Sequence, residues 1–269
     1  MKSEMCRAGL NVLLLATTVL GLSLFSVAQA AESDEELAKK TQNPIASLIS
    51  VPLQSNWDFR LGPKEDKSNY LMNVQPVIPI SLNDKYNLII RTILPIKANE
   101  FPDSVGGLGD TLQSFFFSPK EPLNGWIIGA GPALLYPTAT DVTLGGRKWA
   151  AGPTAVFLKQ QSGWTYGILA NHLWSYAGSS DRSEVNATYL QPFLTYTTKT
   201  FTSFSVNSES TYDWKSEQWT VPINALVTQL LRIGGQPLTL QVGYRYYAET
   251  PTNGPDWGLR FTVTFLFPK

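Results

Sequence analysis

Trp257-Gly258-Leu259-Arg260-Phe261-Thr262-Val263-Thr264-Phe265-Leu266-Phe267 reads as two faces laid one residue apart. Side chains alternate across a strand, so Trp257, Leu259, Phe261, Val263, Phe265 and Phe267 share one face, and Gly258, Arg260, Thr262 and Thr264 the other. About a dozen stretches from Trp57 onward alternate in this way, and none holds an apolar run long enough to cross a membrane as a helix. A face this apolar on a terminal strand, in a chain that opens with an export signal, points to lipid rather than to a protein core.

That signal is read from Lys2 and Arg7, the apolar run from Asn11 to Val27, and the small-x-small stretch Ala28-Gln29-Ala30. Residues 1–30 are therefore expected to be a cleavable signal peptide, followed at once by the acidic stretch Glu32 to Glu36. Cys6 leaves with it, so the mature chain has no thiol for a disulfide, a metal or a nucleophile. Removing Lys2 and Arg7 from the 21 basic side chains and Glu4 from the 21 acidic ones leaves a formal charge near −1. Nucleic acid is excluded as a partner, because its recognition needs a clustered basic surface. Charged residues make up only 16% of the chain while aromatics reach 12%, a sparse charge density for a surface in water and a sufficient one for a surface in lipid.

Residues 31–47 hold much of the local charge and predict one or two helical turns that Asn43-Pro44 ends, as either a periplasmic leader or a plug in the lumen. Residues 48–269 predict the outer-membrane barrel, one domain with strands near 48–61, 69–82, 86–97, 109–118, 125–137, 148–159, 163–176, 187–198, 201–212, 218–231, 238–248 and 256–267. Long connections rich in Gly, Pro, Asp, Asn and Ser alternate with mostly tight joints, such as Asn83-Asp84 and Lys199-Thr200. Tight turns at one rim, longer loops at the other and an even count of long strands predict an all-β fold: a closed, antiparallel, up-and-down transmembrane barrel of about 12 strands. Closure is required, since an open edge in lipid leaves backbone groups unpaired at several kcal/mol each. Prolines at 76, 79, 95, 132, 153, 192 and 222 each remove a ladder donor and predict bulges or irregular pairing.

Turning the more apolar face of each strand to lipid sends Tyr86, Leu88, Ile90, Leu94 and Ile96 outward and Asn87 and Arg91 inward. The same rule gives Trp164, Tyr166, Trp174 and Tyr176 to aromatic girdles, with Ile168 and Ala170 between them, and adds Trp257 and Phe267 on the last strand. Candidate lumen residues are Asp58, Arg60, Arg91, Asn171, Glu209, Gln241, Arg245 and Arg260. The first and last strands meet at closure, which gathers Asp58 and Arg60 with Arg245 and Arg260 on one electropositive wall. Two readings of that wall stay open: a selectivity lining for anionic or aromatic solutes, or cross-braces that fill a narrow lumen.

No catalytic, metal or cofactor site is predicted. His172 is the only histidine and faces outward, while Ser175, three positions on, leaves the strand on the opposite face. This separation weakens a barrel-borne lipid hydrolase as a third reading. The glycine-rich stretches Gly106-Gly107-Leu108-Gly109-Asp110 and Gly145-Gly146-Arg147-Lys148 open no helix, so they read as loop ends rather than phosphate cradles.

Ser50-Val51-Pro52-Leu53-Gln54, Gly107-Leu108-Gly109-Asp110, Gly129-Ala130-Gly131-Pro132, Lys148-Trp149-Ala150-Ala151-Gly152-Pro153, Gly243-Tyr244-Arg245-Tyr246-Tyr247 and Gly254-Pro255-Asp256-Trp257-Gly258-Leu259-Arg260 together resemble a family. It is that of Gram-negative outer-membrane β-barrels described as transporters of the MetA pathway of phenol degradation, and the resemblance spans nearly the whole mature chain. It implies a bacterial outer-membrane location and a passive channel for small, aromatic or hydrophobic solutes, with no catalytic residues. The expected partners are outer-membrane lipid, a small-molecule solute and the barrel-assembly machinery. That machinery reads a terminal aromatic in many barrels, whereas Pro268 and Lys269 follow Phe267 here. A non-transporting structural or binding barrel is the alternative.

Overall fold

A computed structural model describes residues 33–268; the signal peptide expected over 1–30, Cys6 and Lys269 lie outside them. The chain runs through one helix, α1 (Asp34–Thr41), and fifteen strands: β1 (Ile49–Leu61), β2 (Lys67–Val74), β3 (Val77–Ser81), β4 (Tyr86–Asn99), β5 (Val105–Leu108), β6 (Thr111–Pro119), β7 (Trp126–Tyr136), β8 (Lys148–Gln161), β9 (Trp164–Gly178), β10 (Asn186–Thr197), β11 (Thr202–Ser208), β12 (Ser210–Asp213), β13 (Gln218–Ile233), β14 (Gln236–Glu249) and β15 (Trp257–Phe267). Three pairs, β2 with β3, β5 with β6, and β11 with β12, are single staves interrupted once, so the wall has twelve staves.

Every neighbour pairing in that wall is antiparallel, and β1 meets β15 in unbroken register from Ile49 opposite Phe267 to Phe59 opposite Trp257. The sheet is a closed barrel, which leaves no free edge for lipid to strand. The twelve expected strands match the twelve staves, with shifts of a few residues at their ends.

The interruptions have local causes. Gln75-Pro76 separates β2 from β3, where Pro76 cannot donate to the ladder. A second break sets Gln191-Pro192 of β10 opposite Ser208-Glu209, between β11 and β12, and β13 shifts register beside it at Val221/Pro222. Pro132 and Pro153 face each other across β7 and β8, each preceded by a glycine. A Cβ on Gly131 would strike the Phe115 carbonyl and one on Gly152 the His172 carbonyl, so only glycine permits this close approach.

The exposed residues form the belt. Leu259, Phe261 and Phe267 of β15 and Phe117, Phe157 and Ile168 elsewhere are exposed large hydrophobics, the surface that lipid covers. Around one rim Trp164 packs on Tyr196 at 4.9 Å and Trp126 on Tyr166 at 5.9 Å. Towards the other, Tyr212 meets Trp219 at 4.9 Å and Trp57 meets Tyr70 at 5.1 Å.

Inside, the half nearer the termini holds two apolar clusters. Ile45, just after α1, packs with Val77, Ile89, Phe116, Val156, Leu158 and Leu169. α1 docks beside it through Leu37 and Ala38, which join Ala46, Leu48, Leu230 and Leu266. Ser33 caps α1 by accepting from the Glu36 amide at 3.2 Å, with Asp34, Glu35 and Glu36 in the first turn and Lys39 and Lys40 in the last, a charge order that suits the helix dipole. Polar ties complete the docking: Asp34 with Arg232 at 2.7 Å, Gln160 Nε2 to the Lys39 carbonyl at 2.8 Å, and Gln42 Nε2 to Ser203 Oγ at 3.3 Å.

Candidate functional site

Above the plugged half lies a polar cluster built by the seam strands and their neighbours. Asn56 of β1 and Arg260 of β15 are register partners, and Arg245 stands one strand further on β14. Arg260 Nε donates to Asn56 Oδ1 at 2.7 Å and Arg245 Nη1 to the same oxygen at 2.8 Å. Glu209 enters from the break between β11 and β12 and takes both terminal nitrogens of Arg260, at 2.8 and 2.7 Å. Arg245 has Glu209 at 3.6 Å and Asp58 at 3.4 Å, and donates to Tyr247 Oη at 2.8 Å. A charge of this kind on the lipid face at mid-depth would cost about 2–4 kcal/mol. Arg245 and Arg260, exposed by only 7% and 3%, are inside and paired.

Arg60 is the exception to the facing pattern. A bulge between Phe59 and Leu61 gives it a left-handed φ of 65°, and its half-exposed side chain pairs with Glu65 and with Asp256 at the loop-bearing rim. It does not line the lumen, because strict alternation fails once the backbone bulges. The wall near Asp58 consequently holds two arginines against two carboxylates, and is balanced rather than electropositive.

The cluster borders a cavity of about 520 Å³ in the middle of the barrel, whose lining includes Asn171, Tyr189, Glu209, Arg245 and Arg260. A second space of about 170 Å³ lies between the wall and the segment from Lys40 to Leu48. Gln75, Arg91 and Gln241 line both spaces. Arg91 donates to Gln75 Oε1 at 2.8 Å and makes no ion pair among the described residues. Gln241 is held by Thr228 at 2.9 Å and Thr262 at 3.2 Å. Gln75, Tyr189 and Tyr247 escape the sequence pattern, the first because it falls in a strand break, the tyrosines because an aromatic on an inner face reads as core.

At the loop-bearing mouth, Asp110 accepts from the Ala139 and Gly146 amides at 3.1 and 2.7 Å, and Lys97 Nζ donates to the Leu144 carbonyl at 2.9 Å. The glycine-rich stretches thus anchor the 137–147 loop to the barrel. Nearby, Glu184 accepts from Ser175 and from Lys148 Nζ, the latter at 2.9 Å, and these contacts hold its carboxyl below the usual carboxylate range, with Ser175 the larger cause.

Among the girdle candidates, Trp164, Tyr166, Trp174, Tyr176 and Phe267 are exposed, and Trp257 is half-buried against Phe59 at 4.6 Å. His172 Nδ1 meets Thr188 Oγ1 at 2.7 Å and its ring packs on Trp174 at 4.0 Å. Ser175 is engaged by Glu184 and the Val185 amide instead, so serine and histidine are not brought together.

No family model and no curated protein matches the sequence. Among solved structures, the fold is similar to an outer-membrane channel from Pseudomonas putida F1, with a TM-score of 0.63 and 14% identity over 91% of this chain and 100% of that one. It is also similar to the NanC porin, with a TM-score of 0.52 and 9% identity over 82% of this chain and 100% of that one. At such identities the likeness is one of fold: a closed barrel of the bacterial outer-membrane type.

Proposed function

We propose that the barrel is a passive outer-membrane channel for small solutes, narrowed by Arg91 and by the segment that follows α1. The observation that carries this reading is the pair of lumen spaces that share Gln75, Arg91 and Gln241. A solute in the middle cavity that moves towards the termini meets Arg91, a cation in no direct ion pair among the described residues, while Glu209 is already taken by Arg260, so the throat favours anions and electron-rich groups over cations. The Arg260–Glu209 brace favours a second reading, a structural barrel with a filled lumen. Against it stands the cavity of about 520 Å³, which lies within the range of roughly 300–1,000 Å³ that ligand sites span.

Support for aromatic solutes comes from the resemblance to barrels described as transporters in phenol degradation, while the channel among the structural relatives supports passage without indicating a solute class. The site around His172 offers no support for lipid hydrolysis, since its partner is Thr188 and Ser175 is held elsewhere.

The test is conductance of the purified protein in planar bilayers, together with swelling of solute-loaded liposomes. Discrete current steps are expected, with ion preference moving towards cations in Arg91→Ala. An electrically silent, solute-tight barrel overturns the reading.

A further inference from the structure

On the outer face, a groove of about 1150 Å³ runs from the tight-turn rim at Leu123 and Trp126 past Phe157, Tyr166 and Ile168 to Leu194. It ends at the break where Gln191-Pro192 of β10 has no ladder partner on β11 or β12. There the wall is one residue thick. Asn207 lines both the groove and the middle cavity; its neighbour Ser208 lines only the groove, and Glu209 only the cavity. Across the break the same division recurs, with Ile223 on the groove and Pro222 on the cavity.

The ladder is missing here only between β10 and the β11–β12 stave, since Asn207 and Ser208 stay paired with β13 and Pro192 with β9. Pro192 has no N–H to donate across that break, and Ser208 Oγ to the Pro222 carbonyl at 2.9 Å, the Glu209 amide to that same carbonyl at 3.3 Å, and Asn224 Nδ2 to Asn207 Oδ1 at 2.7 Å all tie the stave to β13 rather than to β10. The way down the axis is narrower and mixed in character, a gap of about 170 Å³ bordered by Arg91, Gln75, Gln241 and several threonines as well as by Ala46, Leu48, Val77 and Leu266. An uncharged apolar solute that enters that gap must displace water from Arg91, Gln75 and Gln241, whereas the wider groove removes its apolar surface from water without that cost.

We propose that the wall at Asn207 is a lateral portal, and that the groove receives small uncharged apolar or aromatic solutes passing sideways from the lumen into the bilayer. The proposal rests on the channel reading and adds a second exit to it. Polar solutes and ions take the Arg91 throat; apolar ones leave between Pro192 and Ser208.

The experiment staples the break. In the full-length protein Pro192→Cys and Ser208→Cys are introduced together, and the pair is joined by oxidation or by a short bifunctional thiol reagent, with closure checked by mass. Outer-membrane vesicles carrying the barrel are given the apolar dye 1-N-phenylnaphthylamine, and its fluorescence rise is timed; conductance is recorded on the same protein. Stapling should slow dye uptake several-fold, cleavage of the staple should restore it, and current steps should persist. Asn207→Phe, which fills the shared wall, should slow the dye in the same way and guards against a pair that does not fold. A protein that conducts but takes up dye equally fast stapled and free keeps the channel reading and overturns the portal. Current and dye falling together overturn it also, because they place both solutes on one axial route. A protein that neither conducts nor passes dye overturns both.

Discussion

Arg260 Nε lies 2.7 Å from Asn56 Oδ1, and the two residues are register partners on the strands that close the barrel. Arg245 donates to that same oxygen at 2.8 Å, so one buried amide takes two guanidinium groups at the seam. Asn56→Leu keeps the approximate volume and removes the acceptor. With each stranded donor costing about 1–3 kcal/mol, unfolding should shift to clearly lower temperature, read as loss of the compact band on unheated gels. Asn56→Asp keeps the oxygen and should recover most of the loss. Equal stability of Asn56→Leu and the native chain would mean that the arginines find water instead.

Glu209 and Arg260 form a buried bidentate pair, and the two single variants should behave unlike the double. Glu209→Ala leaves a buried cation, at a cost of about 3–5 kcal/mol, and Arg260→Met leaves Glu209 with Arg245 alone at 3.6 Å, while replacing both residues by methionine removes the desolvation penalty together with the attraction and should come close to neutral. Denaturant unfolding of the refolded barrel in detergent measures all three. In conductance, Glu209→Ala adds one net positive charge to the middle cavity and should raise anion preference, opposite to Arg91→Ala.

Glu184 gives the loop-bearing mouth a pH dependence. Its folded carboxyl is held below the ordinary range by Ser175 and then by Lys148, so the contribution to loop order is complete above the ordinary glutamate value and is lost as pH falls through the lower folded value. Protection of the Val185 amide against hydrogen exchange, taken relative to the intrinsic rate at each pH, should therefore fall only in acid, since that amide donates to Ser175 Oγ at 3.0 Å. Glu184→Gln should show the acid behaviour at neutral pH.

The fold was legible because a lipid-facing strand has a period of two and a rim needs turns; β15 and β9 declare both. What the alternation could not see is where it breaks. Arg60 follows the parity of Asp58 in sequence, yet a bulge at Phe59/Leu61 turns it to the rim. The division of one stave into β11 and β12 has no local mark except the prolines at 192 and 222 on its neighbours, which signal irregularity but not its kind. The balance of charge at the seam was hidden for the same reason, because Glu209 reaches Arg260 across two intervening strands. Nor does a short charged helix announce its destination. Leu37, Ala38, Ile45 and Leu48 are too few and too spread to signal an insertion that depends on the space the barrel leaves.

That space makes Ile45 the point at which plug and pore can be separated. Its Cδ1 lies 2.9 Å from where a Cβ on Gly129 would stand, so Gly129 is small because the plug passes there. Ile45→Ala shortens the plug side chain in its seat against Val77, Phe116 and Val156, and should open space behind Val77, which also borders the gap beside Arg91, raising mean conductance at a stability cost of up to about 2–5 kcal/mol. Gly129→Val acts from the wall instead: it removes no plug atom, crowds Ile45 and should drive the segment from its seat, giving larger and more variable current steps. If both variants conduct as the native barrel does, the segment after α1 does not limit flow, and the throat at Gln75, Arg91 and Gln241 alone sets the current. A rise in Gly129→Val without one in Ile45→Ala would locate the restriction in the seating of the whole segment rather than in one side chain.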